Sequence, residues 1–505
     1  MSSASAPATP SSKRNLYAVL IAAFLGWMFD GFEQALFPLI GQPALAELLG
    51  PSASSGDTAK WFGAIIAVFL IGAASGGVLF GWLGDKIGRT RAMSLSILTY
   101  ALFTGLCGFA TEAWHIAVLR FVAALGMGGE WSLGVALVNE VWPGKSRVIT
   151  AGLIGAAANV GYLLVATLSM VMLGFITHLR SILHAVGCSE ELTTRLLSNS
   201  GWRFLMIVGA LPALLIFFIR LFVPESEKWQ QEKARGSTTH WQNADLLGVM
   251  IGMLAGLVII WIWSPIGLSG TRAVLFTAIL FVISLFGFLH PVRVYLRRAQ
   301  AAGTLHADAS RRIVRLMLFG ALISSVAMLG TWGSMQWAPR WALQFAPEPA
   351  RLAKEWTMFW MAAGAIVGTM TAALCAGRFG RRLTYTLLCL GSVASVLTFY
   401  LANSSYGPLF LPTVFLAGGI TAAFFGFFPL YLPELFPTAV RATAQGFAYN
   451  FGRIIAAVGG LQTAVLMSFF GGSFALAGSW MAAIYVFGAI VIWFGPETRN
   501  TGLPD

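Results

Sequence analysis

The chain has 505 residues, of which 57% are apolar and 10% are charged, whereas an ordinary soluble domain carries about 25% charged residues. A water-soluble protein of this length needs more charge to cover its surface, so soluble enzymes, nucleic-acid-binding domains and disordered scaffolds are disfavoured. The 32 basic residues exceed the 20 acidic ones by 12. This excess fits basic membrane-protein loops as well as nucleic-acid binding, so its location decides between them.

Fourteen stretches of mostly apolar residues follow one another, each near the ~20 residues that a membrane-spanning helix needs. Residues 1–15 precede them as a Ser-, Ala- and Pro-rich tail that we expect to be disordered and cytoplasmic. The first stretch is too long for the core of a signal peptide, so we expect it to remain uncleaved. The predicted spans are 16–40, 61–83, 92–111, 115–138, 148–175, 203–223, 245–263, 272–290, 313–337, 356–376, 384–402, 408–430, 443–469 and 474–495.

The distribution of Lys and Arg predicts the orientation of these spans. With the N-terminus inside, the cytoplasmic segments and their span ends carry 22 basic residues, and the external segments carry eight. The remaining two, Arg120 and Arg453, lie within spans. The positive-inside rule therefore predicts an inner-membrane protein with both termini in the cytoplasm. Topology explains the basic excess, so no nucleic-acid partner is expected.

Three motifs occur twice, in the same order, which predicts two six-helix halves. The pairs are glycine-rich loops at 81–89 and 377–382, E-x2-P-x3-R patterns at 140–147 and 434–441, and Pro-Glu-Ser/Thr at 224–226 and 496–498. The spans at 245–263 and 272–290 have no counterpart in this scheme. The predicted units are an N-terminal bundle (16–223), a cytoplasmic linker (224–244), an inserted transmembrane hairpin (245–290), a basic linker (291–312), a C-terminal bundle (313–495) and a cytoplasmic tail (496–505).

The hairpin is uniformly apolar except for Arg272 at its outer turn. It has no polar face to offer a water-filled cavity, so we expect it to lie against lipid outside the two bundles. The alternative is that one hairpin helix wedges between the bundles and contributes to gating.

The sequence G-x-L-x-D-K-x-G-R at 81–89 resembles the signature loop of the major facilitator superfamily, and the repeated motifs extend the resemblance over the whole chain. It implies an all-α polytopic membrane fold, with two pseudo-symmetric six-helix bundles around a substrate cavity worked by alternating access. It also implies that Gly81 and Gly88 allow a tight turn, and that a charge cluster locks the cytoplasmic side. The cluster is Asp85, Arg89, Glu140 and Arg147, with Arg381, Glu434 and Arg441 as its partner in the C-terminal half. Because Gly377 stands where Asp85 would repeat, we expect the latch of the C-terminal half to be weaker.

Three further segments narrow the resemblance within the superfamily. Residues 27–33 (WMFDGFE) are similar to a segment of organic-acid:proton symporters, and residues 120–131 resemble helix four of metabolite and sialate symporters. Residues 447–452 and the inserted pair of spans resemble the sialate:proton symporter family. The Pro-Glu-Ser/Thr segments look equally like those of sugar porters.

Five ionisable residues lie deep in the predicted spans, where each costs roughly 2.5–3.5 kcal/mol on insertion scales and usually faces a cavity or a partner. Asp30, Glu33 and Glu130 are the candidates for carrying a coupled proton, and Arg120 and Arg453 for binding a substrate carboxylate. Structural roles stay open for them: Glu33 and Arg120 have similar depths and can simply pair, and Glu130 can bond a neighbouring backbone. Tyr449, Asn450 and Gln336 complete the predicted substrate site.

The first functional hypothesis is proton-coupled import of a small organic anion by a monomeric transporter, because a cycling carboxyl explains acids kept in the membrane. A drug or cation:proton antiporter, a sugar porter and a non-transporting sensor are the alternatives. A membrane-embedded enzyme is disfavoured, since all six histidines fall at span ends or in loops. The four cysteines form no CxxC pair, so we expect neither metal nor cofactor.

Overall fold

The computed structural model describes residues 13–142, 146–264, 267–268, 270–345, 352–461, 467 and 469–504. Throughout these residues the secondary structure is helical, and they contain no strand. Residues 1–12 of the predicted tail lie outside the described residues, as do Pro143 and Asp505. Residues 13–15 already belong to the first helix, so the helix begins before the predicted span.

The α-helices are longer than the predicted spans in some places and interrupted in others. Their bounds are α1 (Lys13–Leu49), α2 (Ser55–Ile87), α3 (Arg89–Cys107), α4 (Ala113–Val141), α5 (Arg147–Ala185), α6 (Glu190–Val208), α7 (Leu215–Phe222), α8 (Glu227–Ala234), α9 (Leu246–Ile262), α10 (Gly270–Ala301), α11 (Ala307–Met335), α12 (Ala338–Phe345), α13 (Ala353–Phe379), α14 (Arg381–Ala402), α15 (Phe410–Ala422), α16 (Phe424–Tyr431), α17 (Arg441–Asn450), α18 (Arg453–Leu461), α19 (Phe474–Met481) and α20 (Ile484–Val491).

Eleven helices of the described residues are long and apolar enough to cross a membrane, against the fourteen spans predicted. The predicted third, sixth and thirteenth spans account for the difference. The third corresponds to α3, which has 19 residues and carries two arginines in its first turn. The sixth is broken by a 3-10 turn at Leu211–Leu214, and the thirteenth is broken between α17 and α18 and is described only in part.

Small residues let the helices of each bundle approach closely. In the N-terminal bundle, called the first bundle from here on, a Cβ atom added to Gly76 of α2 would collide with the Leu125 carbonyl of α4. A Cβ atom added to Gly128 of α4 would likewise collide with the Ala73 carbonyl of α2. In the second bundle, Gly368 of α13 lies in the same way against Gly419 of α15. Glycine is therefore needed where backbones touch, as in membrane helix packing generally.

The two bundles meet along two seams. At the first seam, α2 packs on α17 and α18, and Gly77 faces Gly446 with no room for a side chain on either. At the second seam, α5 packs on α13 and α16, with Gly155 against Gly426. Residues that face these seams can contact a substrate held between the bundles.

Helices α9 and α10 pack on each other and then on both bundles. Ser284 Oγ donates to the Gly252 carbonyl at 2.9 Å within the pair. A Cβ on Gly256 would lie 3.0 Å from Ile71 of α2. On the other bundle, the rings of Phe281 and Phe288 lie 5.1 and 6.4 Å from that of Phe451. The pair therefore covers the α2–α18 seam from outside, while its remaining apolar side chains are exposed.

The ends of this helix pair that adjoin the two linkers are held by hydrogen bonds and ring stacking. Arg298 of α10 forms two hydrogen bonds with the carboxylate of Asp245, at 2.7 and 3.0 Å. Trp241 stacks on Tyr295 of α10 with ring centroids 4.3 Å apart, and its indole N–H donates to the carbonyl of Ala439 in the second bundle. The linker thus joins the pair to the second bundle directly.

Candidate substrate and proton site

Two buried carboxyl groups lie beside one another near the centre of the first bundle. Asp30 of α1 and Glu130 of α4 are 0% and 2% exposed. Glu130 packs against Gly26, one turn before Asp30 on the same face of α1, so the two carboxyls are close enough to interact electrostatically. None of their four oxygens has a well-formed hydrogen bond among the described residues. Two touching carboxylates repel strongly when both are ionised and buried, so the pair is suited to holding a proton.

Glu33 and Arg120 form the ion pair that their similar depths suggested. The Arg120 Nη1 donates to Glu33 Oε1 at 2.6 Å, and the Thr104 hydroxyl donates to the same oxygen. The guanidinium lies 4.4 and 4.7 Å from the ring centroids of Phe37 and Phe69. All these partners belong to the first bundle, so Arg120 is enclosed within it.

An aromatic cluster joins the bundles close to the two carboxyls. Trp131 of α4 stacks face to face on Tyr449 of α17, with centroids 3.7 Å apart and planes 8° apart. Trp27 and Phe425 present their edges to Tyr449, both at 6.4 Å. The Arg453 guanidinium carbon lies 6.0 Å above the Tyr449 ring. This arrangement offers a flat apolar surface with a cation at its end.

Two donors beside this stack have no partner among the described residues. They are the Nη1 of Arg453, a side chain only 6% exposed, and the indole N–H of Trp131. The electrostatic interaction of Arg453 reaches Asp30 across the interface. A guanidinium N–H that is buried without an acceptor is costly, and it is a natural place for an anion to bind.

Three amide side chains, those of Asn139, Gln445 and Asn450, form hydrogen bonds from one bundle to the other. We call these three side chains the amide ladder. Asn139 donates to the Pro429 carbonyl at 3.0 Å, and Asn450 donates to the Gly128 carbonyl at 3.1 Å. Gln445 donates to the carbonyl of Ser132. All three amide oxygens are buried without a hydrogen-bond partner among the described residues. Sequence reasoning named Asn450 but missed Asn139 and Gln445, because it searched the spans for charge and passed over neutral amides.

The remaining predicted substrate residue, Gln336, is exposed just beyond the end of α11. One turn earlier on the same helix, the ring of Trp332 lies 6.3 Å from that of Tyr162 on α5. Tyr162 in turn approaches Gln34 at 3.5 Å. Gln336 is therefore placed at the mouth of the interface and apart from the stack.

At the opposite end of the bundles lies the charged face, which holds the repeated motifs. Arg89 binds both oxygens of Glu140, at 3.2 and 3.0 Å, and Arg381 binds both oxygens of Glu434, at 3.0 and 2.6 Å. Each arginine also donates at 2.7 Å to the carbonyl five residues before it. The two halves therefore build the same local structure from the same motif.

The glycines of the two motifs have matching conformations. Gly88 has φ 112° and Gly380 has φ 95°, in the region that favours glycine. A carboxylate caps the helix that follows each turn: Glu225 accepts from the Arg89 N–H and Glu497 from the Arg381 N–H, both at 2.9 Å. Burial raises the pKa of Glu225. Burial opposes ionisation at Glu497 too, but backbone N–H donors outweigh it and lower the pKa of Glu497.

The role expected for Gly81 needs correction. Gly81 lies inside α2 rather than in the turn, and a Cβ there would come within 2.6 Å of the Ala442 carbonyl of α17. Its small size permits contact between the bundles. Only Gly88 of this predicted pair occupies the turn itself.

The bundles are locked together at the charged face. Asp85 accepts hydrogen bonds from the N–H and hydroxyl of Thr443, at 2.8 and 2.6 Å, and so caps α17. Arg441 donates to Glu140 of the first bundle at 2.8 Å, whereas the resemblance grouped Arg441 with Arg381 and Glu434. The corresponding Arg147 is in electrostatic contact with Glu434. Each half thus contributes an arginine to the cluster of the other half.

The repeat is broken at Gly377. A carboxylate at this position would be the counterpart of Asp85 and would cap the start of α5. Instead, a Cβ at Gly377 would already lie 2.9 Å from the Val148 side chain of α5. The second seam is therefore closed here by an apolar contact, and the first by charged hydrogen bonds.

Comparison with known proteins agrees with this architecture. The sequence profile of the sugar (and other) transporter family matches residues 18–245 and 348–504. A putative metabolite transport protein of Haemophilus influenzae is 27% identical, over 98% of this chain and 100% of its own length. The sialic acid transporter NanX of Escherichia coli is 25% identical, over 94% of this chain and 92% of its own length.

The solved structure of the proton:xylose symporter XylE bound to 6-bromo-6-deoxy-D-glucose shares the fold. It matches with a TM-score of 0.68 at 18% identity, and 98% of each chain is covered. The repeated charged motifs, the two bundles and the family match lead to one conclusion. The chain belongs to the sugar (and other) transporter family of the major facilitator superfamily, and it is a multi-pass membrane transporter and not an enzyme.

Proposed function

We propose that this transporter is a proton-coupled symporter of a small organic anion, such as a sialate-like sugar acid or another monocarboxylate. The observation that carries the proposal is a pair of buried carboxyls, Asp30 and Glu130, within electrostatic reach of Arg453 on the other bundle. A proton site on one bundle and an anion site on the other fit a cycle in which both ligands move together.

The coupling follows from the charges. In the empty site, the positive charge of Arg453 favours an ionised Asp30. A substrate carboxylate on Arg453 cancels that attraction, so Asp30 takes up a proton more readily. The loaded site is then close to neutral. A neutral site crosses a low-dielectric barrier at less cost than a charged one.

The other predicted site residues have supporting roles in this proposal. Glu33 is a further proton acceptor. Arg120, which the sequence suggested as a ligand for the substrate carboxylate, instead holds Glu33 in position. Tyr449 and Asn450 line the substrate position, and Gln336 lies on the entry path. Arg453 argues against a cationic substrate, because a buried guanidinium repels one.

We place the charged face in the cytoplasm, both termini with it, and the monomeric chain in the inner membrane, as the basic residues favour. We also propose fourteen spans, with α9 and α10 inserted between two sets of six. The family profile is compatible with an insertion here, because its unmatched stretch at 246–347 includes both helices, together with α11 and α12.

The test uses purified protein in proteoliposomes that contain a pH-sensitive dye. N-Acetylneuraminate, lactate, benzoate and xylose are added separately at equal internal and external pH. Symport predicts that at least one of the anions carries protons with it. If none of them moves protons while one is still taken up, the coupling proposal is wrong.

Asp30→Asn should abolish proton-driven accumulation and leave exchange of internal for external substrate, because it removes the titrating group but keeps its shape. Asp57→Asn is the control, since the Asp57 side chain is 49% exposed and lies at the start of α2. Accumulation by Asp30→Asn at the wild-type level would remove Asp30 from the mechanism.

A further inference from the structure

We infer that the anion is a flat, conjugated carboxylate whose ring lies against the Trp131–Tyr449 pair, and not a polyhydroxylated sugar acid. The inference rests on the proposed function, because it takes Arg453 as the anion site. It goes further by naming the shape and chemistry of the part of the substrate that is not the carboxylate.

The first argument is the surface on which the substrate would lie. Trp131 and Tyr449 come from different bundles, yet their rings are stacked almost in parallel at 3.7 Å. Trp27, Phe425 and Phe428 close in edge-on around Tyr449 at 6.2 to 6.4 Å. Opening the bundles separates the stack, and a flat conjugated ring would keep the separated faces covered. Aromatic pairs gain about 0.5–1.5 kcal/mol beyond the area that they bury.

The second argument is the order of side chains along α17 and α18. Gln445 and Tyr449 are four residues apart on α17 and therefore share one face of that helix. Beyond the break at 451–452, the Arg453 guanidinium carbon lies 6.0 Å from the centroid of the Tyr449 ring. The cation thus stands at one end of the aromatic surface and an amide at the other. A carboxylate on Arg453 would direct an attached ring over Tyr449 and towards Gln445.

The third argument is the small number of polar groups left without partners there. Among the described residues, the donors are Arg453 Nη1 and the Trp131 indole N–H, and the acceptors besides the two buried carboxyls are Gln445 Oε1 and Asn450 Oδ1. A sugar acid brings several hydroxyls, each with a donor and acceptors, and each one buried unpaired costs about 1–3 kcal/mol. These groups match a carboxylate with one or two further polar atoms.

The experiment compares two acids of the same carbon skeleton, one with a planar conjugated ring and one with a saturated ring. Benzoate and cyclohexanecarboxylate share a carbon skeleton and a charge, but only benzoate is planar and conjugated. Affinity is measured in proteoliposomes as competition against counterflow, with N-acetylneuraminate as the third probe. We expect benzoate to bind about two- to tenfold more tightly than cyclohexanecarboxylate, and N-acetylneuraminate to bind most weakly.

The variant Tyr449→Leu should remove the preference by weakening benzoate alone. Tyr449→Phe should keep the preference, because the ring face is retained. Phe447→Leu is the control for folding: Phe447 is a buried aromatic on the same helix whose ring packs against Phe451. If Tyr449→Leu does not fold, the comparison of acids on Tyr449→Phe and on wild type still decides the inference.

Equal affinity for benzoate and cyclohexanecarboxylate, or tighter binding of N-acetylneuraminate, would overturn the inference. Either result leaves the proposed function intact if uptake still carries protons. Uptake without protons for all three acids would instead refute the proposed function. The two failures are therefore distinguishable in the same assay.

Discussion

Arg453 differs from the other buried arginines in what it contacts. Arg89, Arg120 and Arg441 each donate to a carboxylate at 2.6 to 3.0 Å. Arg453 has an aromatic ring beneath it and an Nη1 without a partner among the residues that the structure describes. Since removing a guanidinium from water costs several kcal/mol unless it is paired, this position makes sense for a charge that is paired during only part of a cycle.

Arg453→Lys tests the role of this residue. Lysine keeps the charge but loses the planar fork that binds both oxygens of a carboxylate. We expect the affinity for benzoate to fall by about tenfold with little change in protein yield, measured by counterflow competition. Arg340→Lys, at an exposed position, controls for the substitution itself. An unchanged affinity in Arg453→Lys would place the anion elsewhere.

At the scale of elements, helix α4 is joined to α16 and α17 across the interface by neutral amides as well as by ions. The amide ladder donates to carbonyls of the opposite bundle, so each of its bonds must break when the charged face opens. A hydrogen bond between neutral groups is worth about 0.5–1.5 kcal/mol net. The ladder is therefore strong enough to bias opening and weak enough to be broken in every cycle.

Gln445→Leu should shift the equilibrium towards an open charged face. A cysteine placed at buried Thr438, in a background without the four native cysteines, should then react about two- to tenfold faster with a water-soluble maleimide. Asn403→Leu is the matched control, because Asn403 bonds Phe399 and Thr413 within its own bundle. Similar acceleration in both variants would mean general loosening, and the ladder would then have no special role.

The sequence predicted membrane helices well and their interruptions poorly. Hydropathy identifies how long an apolar stretch is. It does not predict the break at 451–452 or the continuation of α1 past Pro38 and Pro43 to Leu49. The Glu33–Arg120 pair could be anticipated from depth alone. The contact of Asn450 with Gly128 could not, since it joins residues 322 positions apart and depends on how two bundles dock.

The clusters at the charged face show the same limit at the scale of single partners. The motifs identify Glu140, Glu434, Arg147 and Arg441 as a set. They do not reveal that Arg441 crosses to Glu140. Whether an arginine pairs with a glutamate of its own bundle or of the other bundle depends on how the two bundles are docked. A motif describes the residues of one bundle only.

At the scale of the whole molecule, the α9–α10 pair lies outside both bundles but is not independent of them. It contacts Ile71 on the first bundle and Phe451 on the second, and its lower end is tied through Trp241 to Ala439. These contacts lie on a seam that has to move. We therefore expect the pair to stabilise the conformation in which the charged face is closed.

Replacing residues 246–290 with a polar linker should leave the affinity for benzoate within about twofold, since none of the stack residues is removed. An even number of spans is lost, so the orientation of the second bundle is kept. Labelling of a cysteine at Thr438 should accelerate. Phe281→Ala with Phe288→Ala should reproduce part of that acceleration without a deletion. Substrate-protected labelling on α9 or α10 by water-soluble reagents would show instead that the pair lines the pathway.

The break in symmetry at Gly377 determines how the molecule can open. Asp85 ties the first seam with charged hydrogen bonds, whereas Gly377, the equivalent position in the second seam, meets only the apolar side chain of Val148, next to the electrostatic contact of Arg147 with Glu434. An apolar contact can slide at little cost, whereas directional bonds either hold or release. We therefore expect the bundles to pivot about the second seam, with the greatest displacement at the first seam, which is the side that α9 and α10 cover.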